Sequence, residues 1–308
     1  MKGMELARRY YEEYGAPMIA RDFAQECGKI ACGLVGEGSE CFGFDDELSR
    51  DHDFGAGFCI WLADEDAKDF GSELDEAYRR LPGEFMGYPQ KETAVAGSKR
   101  TGVMRIHDFY QRFTGRRALP ETIDDWRRIP EAFLATATNG CVFSDGAGVF
   151  SAMRTGYLAY YPEDLRLKKI CARAAAMAQA GQYNYPRMLR RGDKAAALLA
   201  LSEYVKAACS MAYLLNRKYM PFYKWAARGL LNMDKLPELH GMLGALCGEE
   251  TPPGQRTEHI EQIAAYVIEE LATQSMTDHE DGFLLTHCGC ISQRIGDEQL
   301  RQMHHMAE

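Results

Sequence analysis

By type and spacing, the residues of this chain best suited to chemistry are Gly38-Ser39 and, eleven residues on, Asp51-His52-Asp53. Two carboxylates one residue apart repel, and each raises the other's pKa unless a cation lies between them. Hard divalent ions such as Mg²⁺ take oxygen ligands of this kind and keep positions open for phosphate oxygens. Glycine lets a backbone approach a phosphate, whose oxygens then accept from N–H groups and a serine hydroxyl. Such parts suit transfer at phosphorus, where metal ions neutralise developing charge and orient the attacking and leaving oxygens.

Strands must hold these parts. An apolar run at about 30–36 (Ile30, Ala31, Cys32, Leu34, Val35) reads as the strand that delivers Gly38-Ser39. Residues 51–62 alternate with period two. His52, Phe54, Ala56, Phe58, Ile60 and Leu62 fall on one face, and Asp51, Asp53, Gly55, Gly57, Cys59 and Trp61 on the other. Both carboxylates therefore point the same way off a strand at about 53–62, and His52 turns to the apolar side. Helices are expected at 5–14 and from Pro17 to about 27. Another is expected from Asp64, as N-cap, to Arg80.

Residues 82–100, rich in Gly, Pro and charge, read as a surface loop. A third strand follows through Val103-Met104-Arg105-Ile106, with Asp108 as N-cap of a short helix ending at Gly115. After a helix at about 121–137, Gly140-Cys141-Val142-Phe143-Ser144 reads as a fourth strand and Asp145-Gly146 as its turn. Beyond about 147 only helices are legible, at 147–161, 163–181, 185–191, 193–219, 221–231, 235–246 and 256–276. The breaks are Pro and Gly, and Asp193 caps the longest. The expectation is α+β: a mixed sheet with flanking helices over 1–150, then an all-α bundle over 151–308.

The 308 residues are 26% charged and 46% hydrophobic, ordinary for a globular chain. Net charge is −9, which disfavours a protein that coats nucleic acid through a broad basic surface. The ten cysteines lie mostly in apolar segments, as reduced thiols of a cytoplasmic protein do. No signal core and no membrane-spanning stretch is legible, so no membrane partner is expected.

Gly38-Ser39 followed by Asp51-His52-Asp53 resembles the signature of the DNA polymerase beta-like nucleotidyltransferase superfamily. Gly140 to Asp145 resembles a later strand and turn of its antibiotic-modifying members. Arg191-Gly192-Asp193 and Leu215 to Trp225 resemble an uncharacterised bacterial branch with a C-terminal helical domain. The resemblance covers roughly 30–230. It implies an NTP substrate, one or two Mg²⁺ ions held by Asp51 and Asp53, and phosphate held by Gly38 and Ser39. It also implies a hydroxyl acceptor, small or macromolecular, and release of pyrophosphate.

Active members of the superfamily usually supply a third carboxylate from a later strand. The matching strand here, Val103 to Ile106, has no acid, and Asp108 just after it is the candidate, with helix N-cap as its alternative role. Without that acid, the alternative is a catalytically weak nucleotide-binding or regulatory protein on the same fold. Glu40, Asp45, Asp46 and Glu47 form either partners of the site or a solvated acidic loop. In the helical half, Arg187, Arg190, Arg191, Lys194, Arg217, Lys218, Lys224 and Arg228 cluster, and Arg191 and Lys224 are the expected clamps on a triphosphate. His287-Cys288-Gly289-Cys290 lacks zinc-site spacing, and His304-His305 reads as a disordered tail.

Overall fold

The apolar run after Lys29 becomes strand β1, Ala31–Leu34, and the alternating run becomes β2, Cys59–Leu62. Gly102–Arg105 forms β3 and Cys141–Asp145 forms β4. The computed structural model describes residues 1–50, 54–91, 94, 95 and 98–308, with the backbone alone at 94, 95 and 98. The four strands form one mixed sheet in the order β3-β2-β1-β4. β1 runs antiparallel to β2 (Ala31↔Trp61, Gly33↔Cys59) and to β4 (Ala31↔Asp145, Leu34↔Cys141). β2 and β3 are parallel, Cys59↔Gly102 to Leu62↔Arg105.

That register sorts the sheet into two ends. At one end lie the exit of β1 towards Gly38, the approach to β2 and the start of β4. At the other lie the exits of β2, β3 and β4.

Both faces of β2 are covered, which is why Cys59, Ile60, Trp61 and Leu62 are all fully buried. The period-two reading holds where the strand is described: Ala56, Phe58, Ile60 and Leu62 share a core with Leu6, Tyr10, Leu74 and Tyr78. The other face carries Trp61, stacked on Phe150 at 3.8 Å between centroids and edge-on to Phe109. The fold is thus α+β, with helices on both faces of a mixed sheet and a helical C-terminal region.

Several boundaries differ from expectation. The strand read over 53–62 pairs within the sheet only from Cys59; Ala56 makes an isolated bridge to Gln90 instead. The helix read from Asp64 to Arg80 is two, Asp64–Asp69 and Gly71–Arg79, because Phe70 leaves helical geometry and turns into the core beside Phe23. Asp64 is the first helical residue rather than the cap; Ala63 holds the cap position. Asp145 accepts from the Gly148 and Ser151 N–H groups at 2.9 and 2.7 Å, satisfying the start of the helix Val149–Leu158.

The chain forms two compact units, Met1–Thr122 with Ile129–Ala159, and Ile123–Arg128 with Tyr160–Glu308. The second contains no strand among its described residues. The expected break at Gly181 is absent: the helix from Glu163 continues through a π-helical stretch, Ala178–Asn184, against the Tyr204 ring. Asp193 caps Lys194–Leu215 as expected, accepting from Ala196 N–H at 3.0 Å. This helix is long and apolar enough to cross a membrane, a property the sequence reading missed, yet 61% of its apolar window is buried within the protein. Helices Leu284–Gln293 and Glu298–Gln302, also unread in the sequence, complete the unit.

Candidate functional site

The turn after β1 is held from several sides. Asn139 Oδ1 accepts from the Gly36 N–H at 2.9 Å, and its Nδ2 donates to the Gly36 carbonyl at 2.8 Å. The Gly140 N–H donates to the Cys41 carbonyl at 2.8 Å. Arg154 in turn bonds the Thr138 and Asn139 carbonyls, fixing the segment that holds the turn. Gly38 has φ +123°, ψ 145°, a conformation in which side chains are strained. A Cβ there would also lie 2.5 Å from Glu40 Oε2. The backbone conformation requires glycine at 38, and a side chain there would also displace the end of the Glu40 side chain. Ser39 then opens a single helical turn, Ser39–Phe42.

The approach to β2 is built from the segment that reads as a loop. The Ala56 N–H donates to the Pro89 carbonyl at 2.9 Å, and the Lys91 N–H donates back to Ala56 at 2.7 Å. A Cβ at Gly55 would lie 2.5 Å from the Pro89 carbonyl oxygen, and one at Gly57 3.2 Å from Lys91 Cβ. The Gly55-x-Gly57 spacing therefore admits a second backbone at close range. Lys91, carried by that backbone, forms an ion pair with Glu40. The two side chains are only 7% and 10% exposed. Phe54, next in sequence to Asp53, packs edge-on against Tyr88. Asp51, His52 and Asp53 themselves lie outside the described residues.

Further charge stands beside the turn. Glu37 takes Arg112 Nη2 at 2.5 Å and Arg100 Nε at 3.5 Å, so two guanidiniums share one carboxylate next to Gly38. The acidic loop divides. Glu40 and Asp45 are buried, and Asp45 accepts from the Gly3 N–H at 2.8 Å while pairing with Lys2. Asp46 and Glu47 are exposed, and Asp46 caps the Ser49 N–H at 3.1 Å.

Asp108 is elsewhere. It is the third residue of the helix Ile106–Thr114, whose cap position is Arg105, so it is not an N-cap. It does not share a strand face with Met104 and Ile106 either, because the helix begins at Ile106. It follows the exit of β3, whereas Gly38-Ser39 and the approach to β2 lie at the opposite end of the sheet. The sequence expectation sets Asp108 with Asp51 and Asp53, which lie outside the described residues; the register places Asp108 at the sheet end opposite the Gly38-Ser39 turn. Its carboxylate meets Arg117 at 2.8 Å, and Arg117 also meets Asp64 at 2.7 Å. The hydrogen bond from His107 at 3.2 Å, with Arg117 beside it, holds the Asp64 carboxyl below its usual range.

In the second unit Arg191 and Lys224 are both exposed. Arg191 closes the helix Tyr185–Arg190 at its C-cap position, and Lys224 lies 5.5 Å from the Trp225 ring centroid. Arg217 and Lys218, from the same cationic set, are engaged with Glu163 and the Asn232 carbonyl. His287 is a packed histidine: its ring nitrogens meet Thr277 Oγ1 and the Asp281 carbonyl, both at 2.7 Å.

Residues 126–226 match a family model described as a domain of unknown function (DUF4037). No curated protein matches the chain. Among solved structures, the chain is similar to a nucleotidyltransferase-like protein from Exiguobacterium sibiricum 255-15. The identity is 10% and the TM-score 0.38, over 91% of this chain and 90% of that one.

Sequence reasoning missed Lys91, Glu37, Arg100, Arg112 and Asn139. Gly55-x-Gly57 was the available signal for Lys91, since glycine in a strand marks the close approach of another backbone. Asn139-Gly140 marked a turn but not its reciprocal bonds to Gly36. Nothing local marked the two arginines.

Proposed function

We propose that this chain is a nucleotidyltransferase that moves a nucleoside monophosphate from an NTP to a hydroxyl acceptor and releases pyrophosphate. One observation carries the reading. The antiparallel register of β1 and β2 sets the Gly36–Ser39 turn and the approach to β2, which leads directly out of Asp51-His52-Asp53, at one end of the sheet. Gly38 and Ser39 would hold phosphate through backbone N–H groups and the serine hydroxyl. Arg100 and Arg112, gathered on Glu37, add positive charge beside that turn.

Asp51 and Asp53 are the residues that would hold Mg²⁺, and a pair of carboxylates is a donor set that hard cation accepts. Bound there, the ion supplies charge neutralisation at the triphosphate and polarises the phosphorus under attack. The chain's own part is to place phosphate against those carboxylates through a turn held by Asn139, Arg154 and the Glu40–Lys91 pair.

A second reading, nucleotide binding without efficient turnover, is favoured by Asp108. Its ion pair with Arg117 and its position past the exit of β3 set Asp108, the acid expected to activate a hydroxyl, apart from the Gly38-Ser39 turn.

The test is titration of the purified chain with each of the four NTPs, with and without Mg²⁺, followed by incubation with labelled NTP and fractionated small molecules. Mg²⁺-dependent binding with label transfer supports the first reading, and binding without transfer supports the second. No Mg²⁺-dependent NTP binding would overturn both.

A further inference from the structure

A different cluster lies in the core of the second unit. Cys171, on the helix Glu163–Met177, faces Cys288, on the helix Leu284–Gln293. Both are fully buried. Each sulfur approaches the other residue's carbonyl, Cys288 Sγ to Cys171 O at 3.3 Å and Cys171 Sγ to Cys288 O at 3.8 Å. Cys171 Sγ also lies 3.5 Å from Ser292 Oγ and 3.4 Å from His305 Nδ1.

His305 belongs to a segment expected to be a disordered tail, and the packing corrects that expectation. Lys168 Nζ donates to the Met303 and His304 carbonyls, both at 2.9 Å. Arg173 and Lys169 hold the Glu308 carboxylate at 2.7 and 3.5 Å. The segment is laid along the helix that carries Cys171, with His304 and Met306 exposed on its outer side.

We propose that Cys171 is a peroxide-reactive thiol and that Cys288 resolves it, forming a disulfide that joins the two helices. The Cys171 thiolate attacks one oxygen of a peroxide such as H₂O₂, and the O–O bond breaks. The hydroxide leaves with the proton that Cys171 has passed to His305, as water, and Cys171 becomes a sulfenic acid. The Cys288 sulfur then attacks the Cys171 sulfur, the S–O bond breaks, and hydroxide leaves with the Cys288 proton as a second water. Two thiols are oxidised to one disulfide, and the peroxide is reduced to two waters.

The surroundings distinguish this pair from the other buried cysteines. Hydrogen bonding from the Cys288 thiol, then Ser292 and His305, lowers the Cys171 thiol from its usual value; the same bond to the Cys171 sulfur holds Cys288 well above its own, a cause that ends once Cys171 is oxidised. Burial pushes Cys32, Cys59 and Cys209 up to about 12, which leaves them inert. Access to Cys171 comes from opening of the 303–308 segment, which Lys168, Lys169 and Arg173 tie to the helix through polar contacts.

The experiment is peptide mapping of the full chain after graded H₂O₂ without reductant, with dimedone present in a parallel sample. A linked Cys171–Cys288 peptide is the expected product. Cys288→Ser should convert it to a dimedone adduct on Cys171, and Cys171→Ser should leave Cys288 unlabelled. Circular dichroism checks that both serine variants fold, and the wild-type map stands without them. Oxidation of exposed Cys27 and Cys247 with no linked Cys171–Cys288 peptide would overturn the proposal, as would dimedone on Cys288 in the Cys171→Ser variant.

Discussion

Lys91 pairs with Glu40 across 51 residues of sequence, and the pair joins the turn after β1 to the approach to β2. The Glu40 carboxylate occupies the space a side chain at Gly38 would need. Lys91 rides on the backbone that bonds Ala56. A buried ion pair gains little net stability over an apolar pair, because desolvation offsets attraction, but removal of one partner strands the other charge.

Breaking that pair should therefore be costly from either side. Lys91→Met or Glu40→Gln is expected to lose stability, by about 3–5 kcal/mol where a charge is left alone. The double variant should recover much of that loss. Urea unfolding of the four proteins measures the coupling; additive losses would show that the two side chains act independently.

Gly38→Ala should both strain the turn and drive a methyl group into Glu40. The expected penalty is about 1–3 kcal/mol from backbone conformation alone. NTP affinity should fall further than in Gly43→Ala, where glycine also has positive φ but a Cβ meets open space. Equal affinities in the two variants would remove Gly38 from the phosphate site.

The acids separate by position. Asp51→Asn or Asp53→Asn is expected to abolish Mg²⁺-dependent NTP binding with the fold intact by circular dichroism. Asp108→Asn, past the exit of β3, should leave that binding unchanged. Calorimetric titration of the three variants tests the assignment, and loss of binding in Asp108→Asn alone would reverse it.

Asp64 gives a pH signature. Its carboxyl is held below the usual range by His107 and Arg117, so the folded state binds its proton more weakly than the unfolded chain. The resulting stability is complete above the ordinary aspartate value of about 3.9 and is lost as pH falls towards the lower folded value. Asp64→Asn should be less stable than wild type at neutral pH, with the gap closing on acidification. Unfolding curves at a series of pH values measure it; a gap that widens in acid would contradict the assignment.

Phe150→Ala removes the ring stacked on Trp61 in a fully buried site. It should cost about 3–5 kcal/mol. Thermal unfolding measures this, and a loss below about 1 kcal/mol would mean the site collapses around the cavity.

Alternation in the chain was enough to place Phe58, Ile60 and Leu62 in one core, because side-chain direction in a strand follows local geometry. The cap at Asp193 was legible for the same reason, since it depends on its own N–H neighbours. The four sheet strands and the strand-free second half followed from local pattern as well. Strand partners and orientation did not. Whether Asp108 stands beside Gly38 depends on β3 running parallel to β2, and no local pattern encodes which end of a neighbouring strand a residue meets. Lys91 looked like a loop lysine, because its burial comes from Gly55 and Gly57 admitting a distant backbone. Cys171, Cys288 and His305 lie on separate elements and came together only through helix packing. Residue type and spacing determined the candidate chemistry of this protein; long-range pairing decided which of those residues stand together.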